Sequence, residues 1–460
     1  MSIKTQILKS LSNMEDNLKS TFESRKNYKN ITEYIHLTKT DECGKVIWSE
    51  AFQAALNENE AVFIPESTTA YYIDRTIVIP SNRTIKADKN AVICQTENIK
   101  VLMFRNEHNV DGTHFMPKGT KKDCNITIIG GRWEESYRQR LGYGSSGMYD
   151  EERSFFGVSA CMLFNNIENL YLSDMVFAHT AGFAVQIGEV DNAVFENISF
   201  DDCYADGLHL NGNTENIVIR NISGMVGDDL VALNMYDWQH SSVNFGPMKN
   251  VLCEKLRPSE NSPYKAMRIQ PGMYYFDDGT DVDCSVNNLI VRDVKEINTF
   301  KMYFQTPAYK IGESPEKGDV GSGDNIFFED IEIDLKQPMD YMPVYIESDP
   351  VKGNFGAFEI GANIGNIYFE SVNAKIYNDK YPLSGLISVG PKSAPLGDDK
   401  EIFDPYLSSS VKNIHYKNIV INNKKIDDLK PFIRTSNFVD INKDGHSTAK
   451  GEVKNIIRED

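Results

Sequence analysis

Along this chain, apolar and polar residues alternate in short runs, and one unit keeps returning. It consists of Asn, an aliphatic residue, a spacer, another apolar residue and then a second alternating stretch. It begins at Asn125 (NITIIGG), Asn169 (NLYLSDMVF), Asn192 (NAVFENISF), Asn216 (NIVIRNISG), Asn250 (NVLCEKLR), Asn288 (NLIVRDVKEI), Asn325 (NIFFEDIEI), Asn366 (NIYFESVNAKI) and Asn413 (NIHYKNIVI). Successive units are 23 and 24 residues apart at the tightest and 34 to 47 where loops intervene. A period of two marks strands, and strands this short cannot each bury a face alone. Stacked as a solenoid, they share one continuous core and pair with the coil above and below. A period near 23 suits a coil of three short strands; the LxxLxL pattern of leucine-rich repeats is missing, and a propeller needs a longer regular period. The expected fold is therefore all-β, a right-handed parallel β-helix. The recurrent Asn predicts a tight turn whose side chain bonds along the stack.

The first 45 residues break the pattern and read as an N-terminal helical segment. Ile3, Ile7, Leu8, Leu11, Met14 and Leu18 fall near one helical face, suited to packing on the body or on another subunit of a homo-oligomer. A helix from Trp48 is expected to cap the open end of the solenoid and shield its edge strands. The β-helix would occupy residues 46–460 as a single domain. Residues 134–160, rich in Tyr, Gly and Arg, read as a long loop over one face.

Charge and composition narrow the partners. The formal net charge of -18 weighs against nucleic acid and anionic membranes. An anionic substrate stays possible wherever a local basic patch reverses the field. No run of 18 apolar residues occurs, so no transmembrane helix is expected. The N-terminus lacks the apolar stretch of a signal peptide, which predicts a cytoplasmic location, or a secreted one if a signal has been trimmed away. Seven scattered cysteines without a CxxC pair read as free thiols in a reducing compartment. No GxGxxG, P-loop, zinc spacing or Ser-His-Asp signature appears, and no cofactor is expected.

The candidate chemistry lies in three adjacent coils. TAGFAVQIG (180–188) precedes YADGLHLNG (204–212) by 24 residues, and VGDDLVALN (226–234) follows 22 residues later. That stacking sets Asp206 and Asp228 on neighbouring coils, about 4.8 Å apart, with Asp229 next in line. Three carboxylates in one patch repel each other, which raises at least one pKa and allows acid and base roles to divide. Asp residues in a GDD turn can also serve only to bond local amides, and a carboxylate cluster can hold calcium. His209 follows Asp206 on a strand whose Leu208 and Leu210 point inward, so it should face the cleft, as a sugar contact or incidentally. Lys265 is a possible substrate contact or a solvated side chain. Tyr236, Trp238 and Tyr264 could stack on sugar faces or brace loops.

These segments resemble glycoside hydrolase family 28, the polygalacturonase-like β-helix enzymes of the pectin-lyase-like superfamily. ADGLHL resembles that family's NTDGIDI segment, and GDDLVALN its GDDCIAI segment. VFIPESTTAYYIDRTIVIPSNRTIKADKNAVI resembles its opening coil, and GGRW its GG-W region; the likeness spans roughly residues 45–310. It implies inverting hydrolysis, with Asp228 as proton donor and Asp206 with Asp229 activating water. The family's His-Gly pair and Arg-Ile-Lys strand are less well kept. By coil count they fall on YKAMRIQ (264–270) and FKMYFQT (300–306), leaving no histidine and placing Tyr303 and Gln305 where the basic pair should stand. Alternatively an insertion shifts the frame, so that His240 plays the histidine and Arg268 with Gln270 replaces Arg-Ile-Lys. Either way a second basic residue is missing from that strand, which leaves a neutral or differently charged sugar open.

The expected function is thus a glycosidase, with an oligosaccharide or polysaccharide as partner. Insertions at 235–249, 257–265 and 271–286 could close one end of the cleft and favour exo-action. A calcium-dependent β-helix lyase, with Lys265 or Arg268 as base, and a non-catalytic carbohydrate-binding solenoid are the alternatives.

Overall fold

The computed structural model describes residues 2–97, 102–109, 119–135, 160–237, 242–275, 281–303, 320–335, 356–377, 385–390, 408–435, 437–439 and 448–460. Helix α1 spans Ile3–Glu23 and α2 spans Ser49–Glu58. Most of the remaining regular structure is strand, wound as a right-handed parallel β-helix. Its longest ladder passes through Asp123–Ile129, Ala160–Ser173, Phe183–Cys203, Thr214–Val226, Met248–Pro258, Val286–Ile297, Ser322–Leu335 and Asn363–Ile376, each parallel to the next. A second ladder carries the candidate site: Phe183–Cys203, Leu208–Asn211, Asp229–Asn234, Ala266–Gln270, Thr299–Met302 and Gly356–Ile360.

The recurrent asparagines do what their spacing predicts. Asn125, Asn169, Asn192, Asn216, Asn250, Asn288 and Asn325 all take left-handed backbone angles, with φ between 54° and 69°. Asn tolerates that region better than other non-glycine residues. Each side-chain amide from Asn169 to Asn325 donates to the Asn Oδ1 one coil earlier, at 2.9–3.2 Å. The ladder fixes the start of every coil whatever the length of chain between coils.

Inward-facing aliphatic and aromatic residues fill one continuous core. Ala51, Phe52, Ala55 and Leu56 of α2 join it at the N-terminal end, so the helix plugs the solenoid as expected. Helix α1 lies elsewhere. Tyr171, Val194, Val218, Leu252, Ile290 and Phe327 stack one per coil on the outer side of the long ladder, and Ile7, Leu11 and Leu18 cover them. A 21-residue helix is about 31 Å long, enough for roughly six coils at about 4.8 Å each. Ion pairs flank this contact: Glu15 with Arg220 at 2.7 Å, Lys19 with Glu196 at 3.2 Å, and Lys4 with Glu329.

All seven cysteines are free thiols, and Cys161, Cys203, Cys253 and Cys284 are buried. No helix among the described residues is long and apolar enough to cross a membrane. Most of the expected loop at 134–160, namely residues 136–159, lies outside the described residues.

Candidate functional site

The strand register sets the site. Gln186 pairs with His209, His209 with Ala232, Ala232 with Arg268 and Arg268 with Lys301. The offset is 23 residues across both of the first two steps, rather than 24 and then 22. The turns before each strand and a bulge between Asp229 and Val231 absorb the difference. YKAMRIQ is therefore the coil after GDD and FKMYF the next, as the coil count has it.

Asp206, Asp228 and Asp229 come together, with one carboxylate oxygen from each within 4.8 Å of the others. Two glycines make the close stacking possible. A Cβ on Gly227 would lie 1.9 Å from the Tyr204 carbonyl oxygen, and one on Gly207 would lie 2.4 Å from the Phe200 ring. The Asp229 amide donates to Asp206 Oδ1 at 3.0 Å, tying the two coils together.

The three carboxyl groups sit in different surroundings. Asp229 is buried, with Arg268 Nε 2.7 Å from Oδ2 and Lys301 Nζ 3.4 Å from Oδ1. Burial works against its charge, but Arg268 and Lys301 outweigh it and hold the carboxyl below its ordinary range. Asp228 is half-buried, with one carboxyl oxygen fully enclosed. Burial first, and then the charges of Asp229 and Asp206, push it up to about 6. Asp206 is buried, and its Oδ2 lies 2.6 Å from His209 Nδ1.

Of the remaining expected site residues, His209 and Arg268, with Gln270 beside it, adjoin the carboxylates, and Lys265 lines a cavity that the three Asp residues do not. His209 faces away from the core but is covered: it is 2% exposed, stacked on Phe183 at 3.9 Å between ring centroids, with Nε2 3.0 Å from Asp237 Oδ2. Arg268 Nη1 donates to Gln270 Oε1 at 3.3 Å, and Gln270 Nε2 donates to the Tyr236 carbonyl at 2.7 Å. Tyr303 is buried on the coil of Lys301. Lys265 lines a polar cavity of about 600 Å³ with Glu260, Glu296, Glu332, Asp334 and Lys375. His240, Gln305 and Trp238 lie outside the described residues.

Four participants escaped the sequence reading: Lys301, Asp237, Asn211 and Asn234. The strand of Arg268 does lack a second cation, with Gln270 in its place, but Lys301 supplies one from the next coil. Lys301 was readable, since Phe300 and Met302 point inward and alternation turns it toward the cleft. Asp237 had no such signal. It follows the Asp229–Asn234 strand in an insertion, and only folding sets it over His209, where Asn234 Nδ2 donates to it at 3.1 Å.

The insertion after Asn234 also turns back across earlier coils. The Val243 amide donates to Asn211 Oδ1 at 3.1 Å, the Gly212 amide to the Asn244 carbonyl at 3.3 Å, and Val243 packs on Gly188. The insertion at 271–286 forms an antiparallel hairpin, Gly272–Tyr275 with Asp281–Cys284.

The carboxylate spacing would accommodate a cation. The donor set argues for proton chemistry instead, because both Asp229 oxygens already face cationic side chains. A divalent ion there would have to bind beside two positive charges.

No protein-family model and no curated protein matches this chain. Similar solved structures include a family 28 exopolygalacturonase from Yersinia enterocolitica, 10% identical over 94% of this chain and 78% of that one, with a TM-score of 0.49. A hyperthermoactive exopolygalacturonase from Thermotoga maritima is 11% identical over 88% of this chain and 93% of its own, with a TM-score of 0.48. The surface adhesin PfbA of Streptococcus pneumoniae is 11% identical over 94% and 93%, at 0.44. At TM-scores below 0.5 these likenesses decide nothing between enzyme and adhesin.

Proposed function

We propose that this chain hydrolyses a glycosidic bond, with Asp228 as proton donor to the leaving oxygen and Asp206 and Asp229 directing the attacking water. One contrast carries the reading. Asp228 is pushed up to about 6, while Asp229 beside it is held low by Arg268 and Lys301. Neighbouring carboxyl groups whose proton affinities are driven apart supply an acid and a base at the same pH. Asp228 is also the one of the three with surface to offer a substrate. A carbohydrate-binding solenoid without catalysis has no need of that contrast.

The likeness in sequence to family 28 implies inversion. Retention of configuration is the other outcome open to a pair of carboxyl groups. The first-formed anomer, followed by proton NMR, separates the two.

Arg268 and Lys301 are buried and directed at Asp229, so a sugar need not carry an anionic group to suit the site. The backward fold of residues 242–247 narrows one end and favours exo-action on short chains. The test is a panel of aryl glycosides together with neutral, uronic and sulfated oligosaccharides. Hydrolysis by the wild type, abolished in Asp228→Asn, is the expected result. Equal turnover by Asp228→Asn, or an unsaturated product absorbing in the ultraviolet, would reject the proposal.

A further inference from the structure

His209 has no task in the acid–base division above, yet it sits at the centre of the site's hydrogen bonding. Its Nδ1 is 2.6 Å from Asp206 Oδ2 and its Nε2 is 3.0 Å from Asp237 Oδ2. A neutral imidazole carries one N–H. It could donate to one carboxylate only, and would turn a lone pair on the other across about 3 Å of enclosed space. An imidazolium donates to both.

Gln186 stacks one coil before and Ala232 one coil after, and Phe183 covers the face. Asn211 Nδ2, itself a donor, lies 3.4 Å from Nε2, a longer contact than the 3.0 Å to Asp237 Oδ2 that the ring N–H takes. Asn234 and Gln270 donate to Asp237, at 3.1 and 3.4 Å, and hold it in place. The nearby cations Arg268 and Lys301 are directed at Asp229. The two charged groups bonded to the ring are thus both carboxylates.

We propose that His209 is a positioning residue, an imidazolium clamped between Asp206 and Asp237 that fixes the rotation of the Asp206 carboxylate for its work on water. The role given to Asp206 rests on the hydrolase reading above; the clamp itself does not. Ring stacking and two anchored acceptors leave the imidazolium one orientation. Asp206 is then held at Oδ2 by the ring and at Oδ1 by the Asp229 amide. Burial opposes the charge, but Asp206 and Asp237 together raise His209 to about 9.

Nitrogen-15 NMR of the full chain, labelled at its eight histidines, reads the clamp directly and needs no substrate. The His209 signal is assigned by its contact with Phe183. Both ring nitrogens are expected to be protonated at pH 7.5; a neutral ring there overturns the proposal, whatever the protein hydrolyses. Asp237→Asn removes one carboxylate and should lower the His209 midpoint by about 1–3 units, into the neutral range. Its kinetic signature is a slope. With the aryl glycoside turned over fastest in the panel, log kcat of the wild type should fall with unit slope above about pH 6, as Asp228 loses its proton. In Asp237→Asn the slope should approach two once His209 also titrates, with KM within about twofold. A slope of one in Asp237→Asn, with His209 shown neutral, overturns the positioning role. A charged His209 in a protein that hydrolyses nothing on the panel upholds the clamp and counts against the hydrolase reading instead.

Discussion

Replacing Lys301 with Met tests the electrostatic account at its most buried cation. Lys301 has no exposed surface, and its ammonium lies 3.4 Å from Asp229 Oδ1. At an effective dielectric of 20, that separation corresponds to a gross attraction of about 5 kcal/mol. Two effects reduce the net loss. The ammonium's own desolvation penalty, several kcal/mol, disappears with it, and Arg268 remains 2.7 Å from the other oxygen. A net destabilisation of about 1–3 kcal/mol follows, since methionine matches the flexible stem of lysine and leaves little cavity. The assay is a double-mutant cycle of Lys301→Met and Asp229→Asn, read from urea midpoints at pH 7 and in the acid range. Asp229 is depressed in the folded state, so its contribution is present above the unfolded carboxylate value and is lost as pH falls through the folded one. The coupling should therefore be full at pH 7 and shrink toward low pH. Lys301 also lowers Asp228, so its loss should push Asp228 above about 6 and move the alkaline limb of activity to higher pH. Additivity within about 0.5 kcal/mol at pH 7, or an alkaline limb that moves down, would refute the reasoning.

Three further outcomes follow from the same geometry. Asp228→Asn should abolish turnover yet stabilise the fold by up to about 3 kcal/mol at pH 8, because a carboxyl raised from 3.8 to about 6 costs stability as pH rises through that value; urea midpoints should converge below pH 4. Asn216→Ala breaks two ladder bonds and puts Ala at a φ of 59°, for a loss of about 2–4 kcal/mol, and Asn216→Gly should recover about 1 kcal/mol of it in a urea titration. Deleting residues 2–24 uncovers the stripe from Tyr171 to Phe327 and should produce self-association by light scattering; an unaltered, monodisperse chain would show that α1 is dispensable.

The solenoid was legible because its repeat is chemical as well as hydrophobic. An Asn held in the left-handed region every coil leaves a mark that loops of any length cannot blur. Alternation located the inward residues but did not reveal why Tyr171, Val194, Val218 and Leu252 are apolar on the outward side; the answer lies up to 249 residues away in the chain, in α1. Asp206, Asp228 and Asp229 were legible as motifs. Their register was off by one residue per coil, because turn residues count toward sequence spacing without advancing the strand. Lys301 followed from period two, whereas Asp237 reaches His209 only through the path of an insertion.

The order in which the site is written along the chain has a consequence for its birth on the ribosome. The three carboxylates are complete at residue 229, but Lys301 lies 72 residues further on. At about 5–20 residues per second, the emerging coils wait roughly 4–14 s for that cation. During this interval the acidic cluster has to stay hydrated or keep a proton. Its coils can dry and close fully only once the coil that carries Lys301 has docked, so the acidic cluster ties the burial of early coils to the arrival of a later one.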